Sequence, residues 1–167
     1  MELPNRKSLR LHHYDYSTEG GYFITICTEQ KKCTLAKVEA GNEQARATVS
    51  LTKLGCVARD TLLQLREKYD IHIDCYVIMP NHIHLILLME KTEKSITVGQ
   101  LIGAYKSMVV KNWWEICNGQ GVTMGKIWQR GFYDHILRNV ADYKEKARYI
   151  DENPDKWCLD DEYVPIT

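Results

Sequence analysis

The chain has 167 residues, 44% of them hydrophobic and 26% charged, and its 22 basic and 22 acidic residues give a formal net charge of zero. This length fits one domain spanning residues 1–167, and the composition is that of an ordinary soluble globular protein. No run of about 18 apolar residues occurs, which argues against a membrane-spanning helix, and the first residues lack the apolar stretch of a secretory signal. We therefore expect a cytoplasmic protein without a membrane partner.

Charge is unevenly distributed along the chain. Residues 100–150 hold eight Lys and Arg against four acids, whereas residues 151–167 hold six acids against one Lys. A local basic surface is compatible with phosphate binding, although a net charge of zero on its own weakens that expectation. The six cysteines are scattered without a CxxC pair, so we expect free thiols in a reducing cytoplasm rather than disulfides or a zinc site.

The first third of the chain predicts a strand, a short hairpin and a helix. Residues 22–29 are rich in β-branched and aromatic residues, which favours a strand. Residues 33–51 predict a hairpin that turns at Gly41-Asn42. Apolar residues then keep helical spacing over about 53–69, and Gly55 does not interrupt that pattern.

Two further strands are predicted in the middle of the chain. Residues 71–78 alternate, so this strand is predicted to bury one face, formed by Ile71, Ile73, Cys75 and Val77. Pro80 cannot donate to a strand ladder and ends the strand, and residues 82–89 form the next one.

The second half begins with a long helix. Thr97 and Gln100 form a capping box at its start, and its buried stripe is predicted to contain Leu101, Ile102, Tyr105, Met108, Val109 and Trp113. Residues 132–138 predict a strand, and a last helix over about 140–152 is capped by Asn139 and ended by Pro154. The order indicates an α+β fold: a ferredoxin-like split β-α-β-β-α-β antiparallel sheet with helices on one face, plus a C-terminal helix.

His82 and His84 form the sharpest local signal. Side chains two residues apart on a strand leave the same face, with Cα atoms roughly 6.5–7 Å apart, so both ring nitrogens can reach one cation. The alternative is a pair of hydrogen-bonded histidines without a metal. Their position directly after Pro80-Asn81, at the start of a strand, favours a functional pair because ligand residues often lie at the ends of elements.

Tyr149 lies away from the predicted buried stripe of the last helix. Val140, Tyr143, Ala147 and Ile150 recur at helical spacing, and at about 100° per residue Tyr149 falls roughly 140° from the centre of that stripe. Asn153 is four residues later, on the same face as Tyr149. Tyr149 is therefore either a solvated surface tyrosine or a functional group.

Residues 127–135 mix aromatic, basic and amide side chains. Trp128 could stack on an unpaired base while Arg130 contacts phosphate, or Trp128 and Phe132 could belong to the core. His135 could be a general base or a hydrogen-bonded structural group. Arg10, near the N-terminus, also suits a phosphate contact.

Several stretches together resemble the single-tyrosine HUH transposases, and within them the REP-associated tyrosine transposases. Residues 76–85 (YVIMPNHIHL) resemble the His-hydrophobic-His motif, residues 128–132 (WQRGF) and 134–138 (DHILR) the second block, and residues 148–154 (RYIDENP) the block with the nucleophile. Residues 10–16 and 22–25 also match the start of such proteins. The resemblance covers most of the chain in the correct order.

The resemblance implies a transposase-like enzyme that cleaves single-stranded DNA hairpins and transfers the strand. Tyr149 would be the nucleophile and form a 5′-phosphotyrosine, and a divalent metal, Mg²⁺ or Mn²⁺, would be held by His82, His84 and Asn153. Imidazole ligands suit Mn²⁺ better than Mg²⁺. The DNA-binding residues would be Arg10, Trp128, Arg130, Arg138, Lys146 and Arg148, with His135 as an auxiliary group.

Partners, location and competing functions complete the expectations. The partner would be a single-stranded DNA hairpin, the protein a monomer or homodimer, and its location the bacterial cytoplasm, at the nucleoid. The base that deprotonates Tyr149 stays open, with a metal-bound water and Lys146 as candidates. Three alternatives remain: a hairpin-binding protein without cleavage, a metal-dependent phosphodiesterase using the two histidines, and an RNA-binding module.

Overall fold

A computed structural model describes residues 20–42, 45–89, 96–118 and 125–164. Its elements, in chain order, are β1 (Gly20–Cys27), β2 (Ala36–Glu39), β3 (Thr48–Leu51), α1 (Lys53–Tyr69), β4 (His72–Ile78), β5 (His82–Met89), α2 (Val98–Cys117), β6 (Tyr133–Leu137) and α3 (Val140–Glu152). Two single-turn 3-10 helices, Glu29–Lys31 and Trp157–Leu159, complete the described elements. None of the helices in these ranges is long and apolar enough to cross a membrane.

Four strands form the central sheet in the order β4-β5-β1-β6, and every neighbouring pair is antiparallel. With α1 after β1 and α2 after β5, this is the split β-α-β-β-α-β arrangement that the sequence predicts. The hairpin of β2 and β3 is inserted between β1 and α1 and forms its own two-stranded sheet. The antiparallel α+β fold is therefore confirmed.

Helices α1 and α2 cover one face of the sheet and form the main core with it. The core includes the alternate strand residues Ile24, Ile26, Ile83, Leu85 and Leu87. Tyr105 on α2 is fully buried, and its hydroxyl donates a 3.0 Å hydrogen bond to the carbonyl oxygen of Ala58 on α1. That bond fixes the two helices relative to each other as they bury their apolar stripes.

Helix α3 packs on the opposite face of the sheet, over β4 and β5 and beside β6. Ile150 is the buried residue of α3, and it packs with Phe23 and Ile86 in a smaller apolar cluster. The side of this face over β1 and β6 keeps Tyr133 half exposed. We call this sheet surface, on the side where α3 packs, the α3 face.

Helix starts follow the predicted caps. Thr97 and Gln100 form the capping box of α2, and Asn139 caps α3 by accepting a 3.0 Å hydrogen bond from the amide of Asp142. The sequence predicts the hairpin turn at Gly41-Asn42; Asn42 forms a bridge with Ala45, and the two residues between them lie outside the described residues. The glycines expected to end the α2 region, Gly119 and Gly121, lie outside the described residues.

Two predictions about buried faces are wrong. A β-bulge between Ile73 and Cys75 shifts the register of β4, so Ile73 packs with the helix-side core while Cys75 and Val77 pack on the α3 face. A bulge adds a residue and reverses which face the following side chains take. In α3, Val140 is 67% exposed and does not belong to the buried stripe, because the apolar cluster under the helix contains Tyr143, Ala147 and Ile150 but not this first residue.

Candidate metal and nucleophile site

The paired histidines lie at the start of β5 on the α3 face. His82 pairs with Cys27 and His84 with Thr25 across the neighbouring strand, and their ring centroids are 4.3 Å apart. Both imidazoles are buried, and the alternate residues Ile83, Leu85 and Leu87 point into the helix-side core. The prediction that one face carries both rings is confirmed.

Asn81 fixes the tautomer of His82. Its side-chain nitrogen donates to the carbonyl oxygens of Lys31 at 3.2 Å and Glu162 at 2.7 Å, which leaves its oxygen 2.9 Å from Nδ1 of His82. An amide oxygen only accepts, so Nδ1 of His82 carries the proton. The lone pair of His82 is therefore on Nε2, which is the form a metal ligand requires.

Thr25 holds the His84 ring from the neighbouring strand. Its hydroxyl oxygen lies 2.9 Å from Nδ1 of His84. The Nε2 atoms of both histidines are buried without a hydrogen-bond partner among the described residues. Two such atoms aimed into one space are costly unless a further group binds there.

Burial keeps His82 neutral. Its pKa is lowered to about 3, first because burial disfavours the charged ring and then because of repulsion from His84. A neutral imidazole at physiological pH can give its lone pair to a cation without first losing a proton.

Tyr149 reaches this pair from the last turns of α3. Its ring meets the His84 ring edge-on at 5.2 Å between centroids and the Phe23 ring at 5.9 Å. Its hydroxyl donates a 2.6 Å hydrogen bond to Oδ2 of Asp160. The side chain is neither core filler nor a freely solvated tyrosine.

Asn153 faces the same point from one turn later. Its side-chain nitrogen donates to the same Oδ2 of Asp160 at 2.5 Å, and its oxygen is buried without a partner among the described residues. The structure thus brings Tyr149, Asn153, His82 and His84 together. The periodicities predict the shared face of each pair, and the family resemblance implies that the two pairs meet. Pro154 does not turn Asn153 away, because Asn153 keeps helical φ and ψ angles.

Asp160 is the group that sequence reasoning missed. Its Oδ2 atom lies 3.7 Å from Nε2 of His84, and its side chain is 1% exposed. It belongs to the acidic segment after α3, which has no periodic pattern to place it. Asp160 is eleven residues after Tyr149, and because α3 ends between them, no helix or strand period relates the two positions.

The segment that carries Asp160 is held over the site by several contacts. Trp157 lies against His82 at 5.8 Å between ring centroids. The Glu162 carboxylate pairs with Lys31 at 2.9 Å and accepts from the Cys27 thiol at 3.4 Å. These contacts explain why Asp160 is buried although it follows the last long helix.

The pKa values of Asp160 and Tyr149 oppose proton transfer from the phenol to the carboxylate. Burial raises the pKa of Asp160, but the nearby His84 ring and hydrogen bonds from Tyr149, Asn153 and the Glu162 amide outweigh that effect and leave the pKa well below its usual range. Burial, followed by the hydrogen bond to Asp160, raises the pKa of Tyr149. This arrangement keeps the phenol protonated, so Asp160 holds the Tyr149 hydroxyl rather than deprotonating it.

The donor set fits a divalent cation. Ligand atoms of His82, His84 and Asp160 lie within 4.8 Å of one another, and the unpartnered oxygen of Asn153 adds a fourth donor from α3. Two imidazoles with a carboxylate and an amide oxygen suit Mn²⁺ or a similar transition metal, and the carboxylate also improves the fit for Mg²⁺.

The residues predicted to bind DNA are placed differently from one another. Arg130, Arg138 and Arg148 are exposed, and Lys146 places its ammonium 5.9 Å from the centroid of the Phe23 ring on the α3 face. Arg10 lies outside the described residues. Trp128 is only 5% exposed and packs 6.1 Å from the Tyr105 ring, so it is a core residue and its faces cannot stack on a base.

His135 is tied to the start of α3. Its Nε2 atom lies 3.0 Å from both carboxylate oxygens of Asp142, which also accepts from the Arg138 amide. The Asp142 carboxylate therefore accepts from both the His135 ring and the Arg138 amide, and these hydrogen bonds connect β6 to the start of α3. Lys146, another candidate base, pairs with Glu145 at 3.0 Å.

Comparison with known proteins agrees with this architecture. An uncharacterized protein of Haemophilus influenzae is 31% identical over 97% of this chain and 95% of its own length. The REP-associated tyrosine transposase of Escherichia coli K12 is 24% identical over 69% of this chain and 63% of its own length. A solved REP-associated tyrosine transposase bound to a REP hairpin has the same fold, with a TM-score of 0.60 at 19% identity over 89% of this chain and 74% of that one.

The family described as transposase IS200-like matches residues 43–153, which contain both histidines, the tyrosine and Asn153. That match covers most of the chain, and the fold and the curated relatives agree with it. The chain therefore belongs to the IS200-like transposase family, and within it resembles the REP-associated tyrosine transposases.

Proposed function

We propose that this chain is a metal-dependent enzyme that nicks and rejoins single-stranded DNA at hairpins through a covalent bond to Tyr149. One observation carries the proposal: the Tyr149 phenol and the unpartnered Nε2 atoms of two buried imidazoles face the same carboxylate. A phosphate group is also an anion with several acceptor oxygens, so it can take the place that the Asp160 carboxylate occupies.

The hairpin substrate is carried over from similar proteins. The solved structure with the same fold holds a REP hairpin, and a curated relative is a REP-associated tyrosine transposase. The exposed Arg130, Arg138 and Arg148 supply cations for the DNA backbone. Residues 1–167 would act as one catalytic domain on DNA in the bacterial cytoplasm, at the nucleoid.

His82, His84 and Asn153 would hold the metal, with Asp160 as an additional ligand in the absence of DNA. When bound, a divalent ion supplies positive charge that stabilises the developing charge on the phosphate oxygens. Asn81 and Thr25 orient the two imidazoles for this task through their hydrogen bonds to Nδ1: the Asn81 oxygen accepts from His82, and the Thr25 hydroxyl bonds to His84.

Tyr149 performs the covalent step. Its hydroxyl oxygen forms a bond to phosphorus while the bond from phosphorus to the 3′ oxygen breaks, which leaves a 5′-phosphotyrosine and a free 3′-OH. The reverse attack by a 3′-OH restores the phosphodiester, so strand joining needs no ATP. The phenol proton must pass to an acceptor other than Asp160, because the pKa values of this pair are displaced in opposite directions.

The test is a covalent protein–DNA adduct. DNA stem–loops with single-stranded flanks are incubated with the protein and Mn²⁺, and adducts are detected on a denaturing gel. We expect an adduct with the wild type, none with Tyr149→Phe, and a loss of at least tenfold with His82→Ala or His84→Ala.

Tyr143→Phe is the matched control. Tyr143 is on the same helix, and its hydroxyl donates to Asp74 at 2.6 Å, away from the histidine pair. This variant should form the adduct at the wild-type level. Cleavage that persists without an adduct in Tyr149→Phe would identify a phosphodiesterase instead, and binding without cleavage by the wild type would identify a hairpin-binding protein.

A further inference from the structure

The side chain of Tyr133 lies in one row with the catalytic candidates across the sheet. Thr25 pairs with His84 on one side and with Tyr133 on the other, so residues of β5, β1 and β6 stand next to each other. Directly paired residues of antiparallel strands point to the same face. At about 4.8 Å per strand, the backbone of Tyr133 is roughly 10 Å from that of His84.

The packing of β6 leaves the Tyr133 ring without a structural role. Phe132 and Ile136 pack against the helix-side core, whereas Tyr133 points to the α3 face and is 50% exposed. Tyr133 has no ring contact, ion pair or hydrogen bond from its hydroxyl to any described residue. The loop before it is fixed, because Lys106 donates to the carbonyl oxygens of Gln129 and Gly131.

Surface charge near Tyr133 favours a nucleic-acid strand. Arg130 is exposed just before β6. The Lys146 ammonium lies over the Phe23 ring. Phe23 pairs with His135, which is two residues after Tyr133 on β6. Helix α3 contacts β4 and β5 as well as β6, and within the described part of the chain the Tyr133 side chain remains half exposed. Single exposed tyrosines are common. Tyr133 differs from them because it pairs across the sheet with Thr25, which pairs in turn with His84.

We infer that Tyr133 is a stacking platform for an unpaired base next to the phosphate that Tyr149 attacks. The inference rests on the proposed function and adds a base-binding subsite to it. An aromatic side chain whose backbone lies about 10 Å from that of His84 can hold a neighbouring base while the phosphate stays at His84. Stacking accepts every base, so this subsite orients the strand without reading its sequence.

The experiment is an abasic scan in the Tyr149→Phe protein, which binds without cleaving. The probes are DNA stem–loops with thymidine flanks in which one flank nucleotide at a time is abasic, and affinity is measured by fluorescence anisotropy. We expect one flank position where the abasic probe binds about tenfold more weakly, which is the usual effect of losing one stacked base. Adding Tyr133→Ala should abolish this difference, and adding Tyr133→Phe should keep it.

Trp114→Ala is the control, because Trp114 is 53% exposed on α2, on the other side of the sheet. It should keep the abasic difference. The same tenfold difference in Tyr133→Ala, or no sensitive position in any probe, would overturn the base subsite while leaving DNA binding intact. Failure of the Tyr149→Phe protein to bind any stem–loop would overturn the proposed function and the subsite with it.

Discussion

At the scale of single residues, the site depends on which nitrogen each imidazole presents. Asn81 and Thr25 both contact Nδ1, so the Nε2 atoms of His82 and His84 face the interior of the site. Asn81 also donates to the Glu162 carbonyl oxygen, which links the tautomer of His82 to the segment that carries Asp160. One amide thus supports both the His82 imidazole and the acidic segment above it.

The buried, neutral state of His82 predicts a specific acid sensitivity of the metal-free protein. The unfolded chain binds a proton at the ordinary histidine pKa of about 6.5, whereas the folded protein binds it only near 3. Stability is therefore present above pH 6.5 and falls as the pH is lowered toward 3, by about 2 kcal/mol between pH 6.5 and 5. Urea unfolding at several pH values measures this loss.

His82→Gln should reduce the pH dependence of the free energy of unfolding in that window. The exposed His72 gives the control, since His72→Gln should retain the loss. An unchanged pH dependence in His82→Gln would show that His82 is not held neutral by burial.

At the scale of elements, close packing near the start of α1 explains why a glycine, Gly55, occupies a position inside this helix. An added Cβ at Gly55 would lie 2.0 Å from the carbonyl oxygen of Leu35, which also accepts from the amide and hydroxyl of Thr52. The start of α1 is therefore pressed against the chain leading into β2. In α2, by contrast, a Cβ at Gly103 would meet nothing within 4 Å.

These two helical glycines predict opposite effects of the same substitution. Gly55→Ala should lower the free energy of unfolding by roughly 2 kcal/mol or more, because the rigid carbonyl must move. Gly103→Ala should raise it by up to about 1 kcal/mol through helix propensity. Thermal and urea unfolding of both variants provide the measurement, and stabilisation by Gly55→Ala would contradict the packing of α1 against Leu35.

The helix and strand periods predict the elements that position the site, but not every side chain in it. His82, His84, Tyr149 and Asn153 occupy regular elements, so their common direction follows from the period of each. Asp160 could not be placed, because an irregular segment has no period and its position depends on contacts to Asn81, Lys31 and Cys27. The bulge in β4 and the burial of Trp128 also depend on tertiary packing.

At the scale of the whole molecule, a net charge of zero conceals a separation of charges. The exposed Arg130, Arg138 and Arg148 pair with no carboxylate among the described residues, whereas the acids Asp160 and Glu162 are engaged at the site. DNA binding therefore does not require an overall basic protein.

Salt dependence tests this distribution. Hairpin affinity should fall with increasing salt, and Arg138→Ala or Arg148→Ala should each reduce the slope of log Kd against log salt by about 1. Lys68→Ala, on the exposed side of α1, should leave the slope unchanged. Equal slopes for all these variants would place the DNA elsewhere on the surface.

A metal site at the two unpartnered Nε2 atoms of His82 and His84 is tested most directly by pulsed electron paramagnetic resonance of Mn²⁺ added to the DNA-free protein. We predict one bound Mn²⁺ with hyperfine coupling to two imidazole nitrogens in the wild type and in Tyr149→Phe, and to one in His84→Ala. Bound Mn²⁺ without imidazole coupling in the wild type would contradict a metal site at the paired histidines.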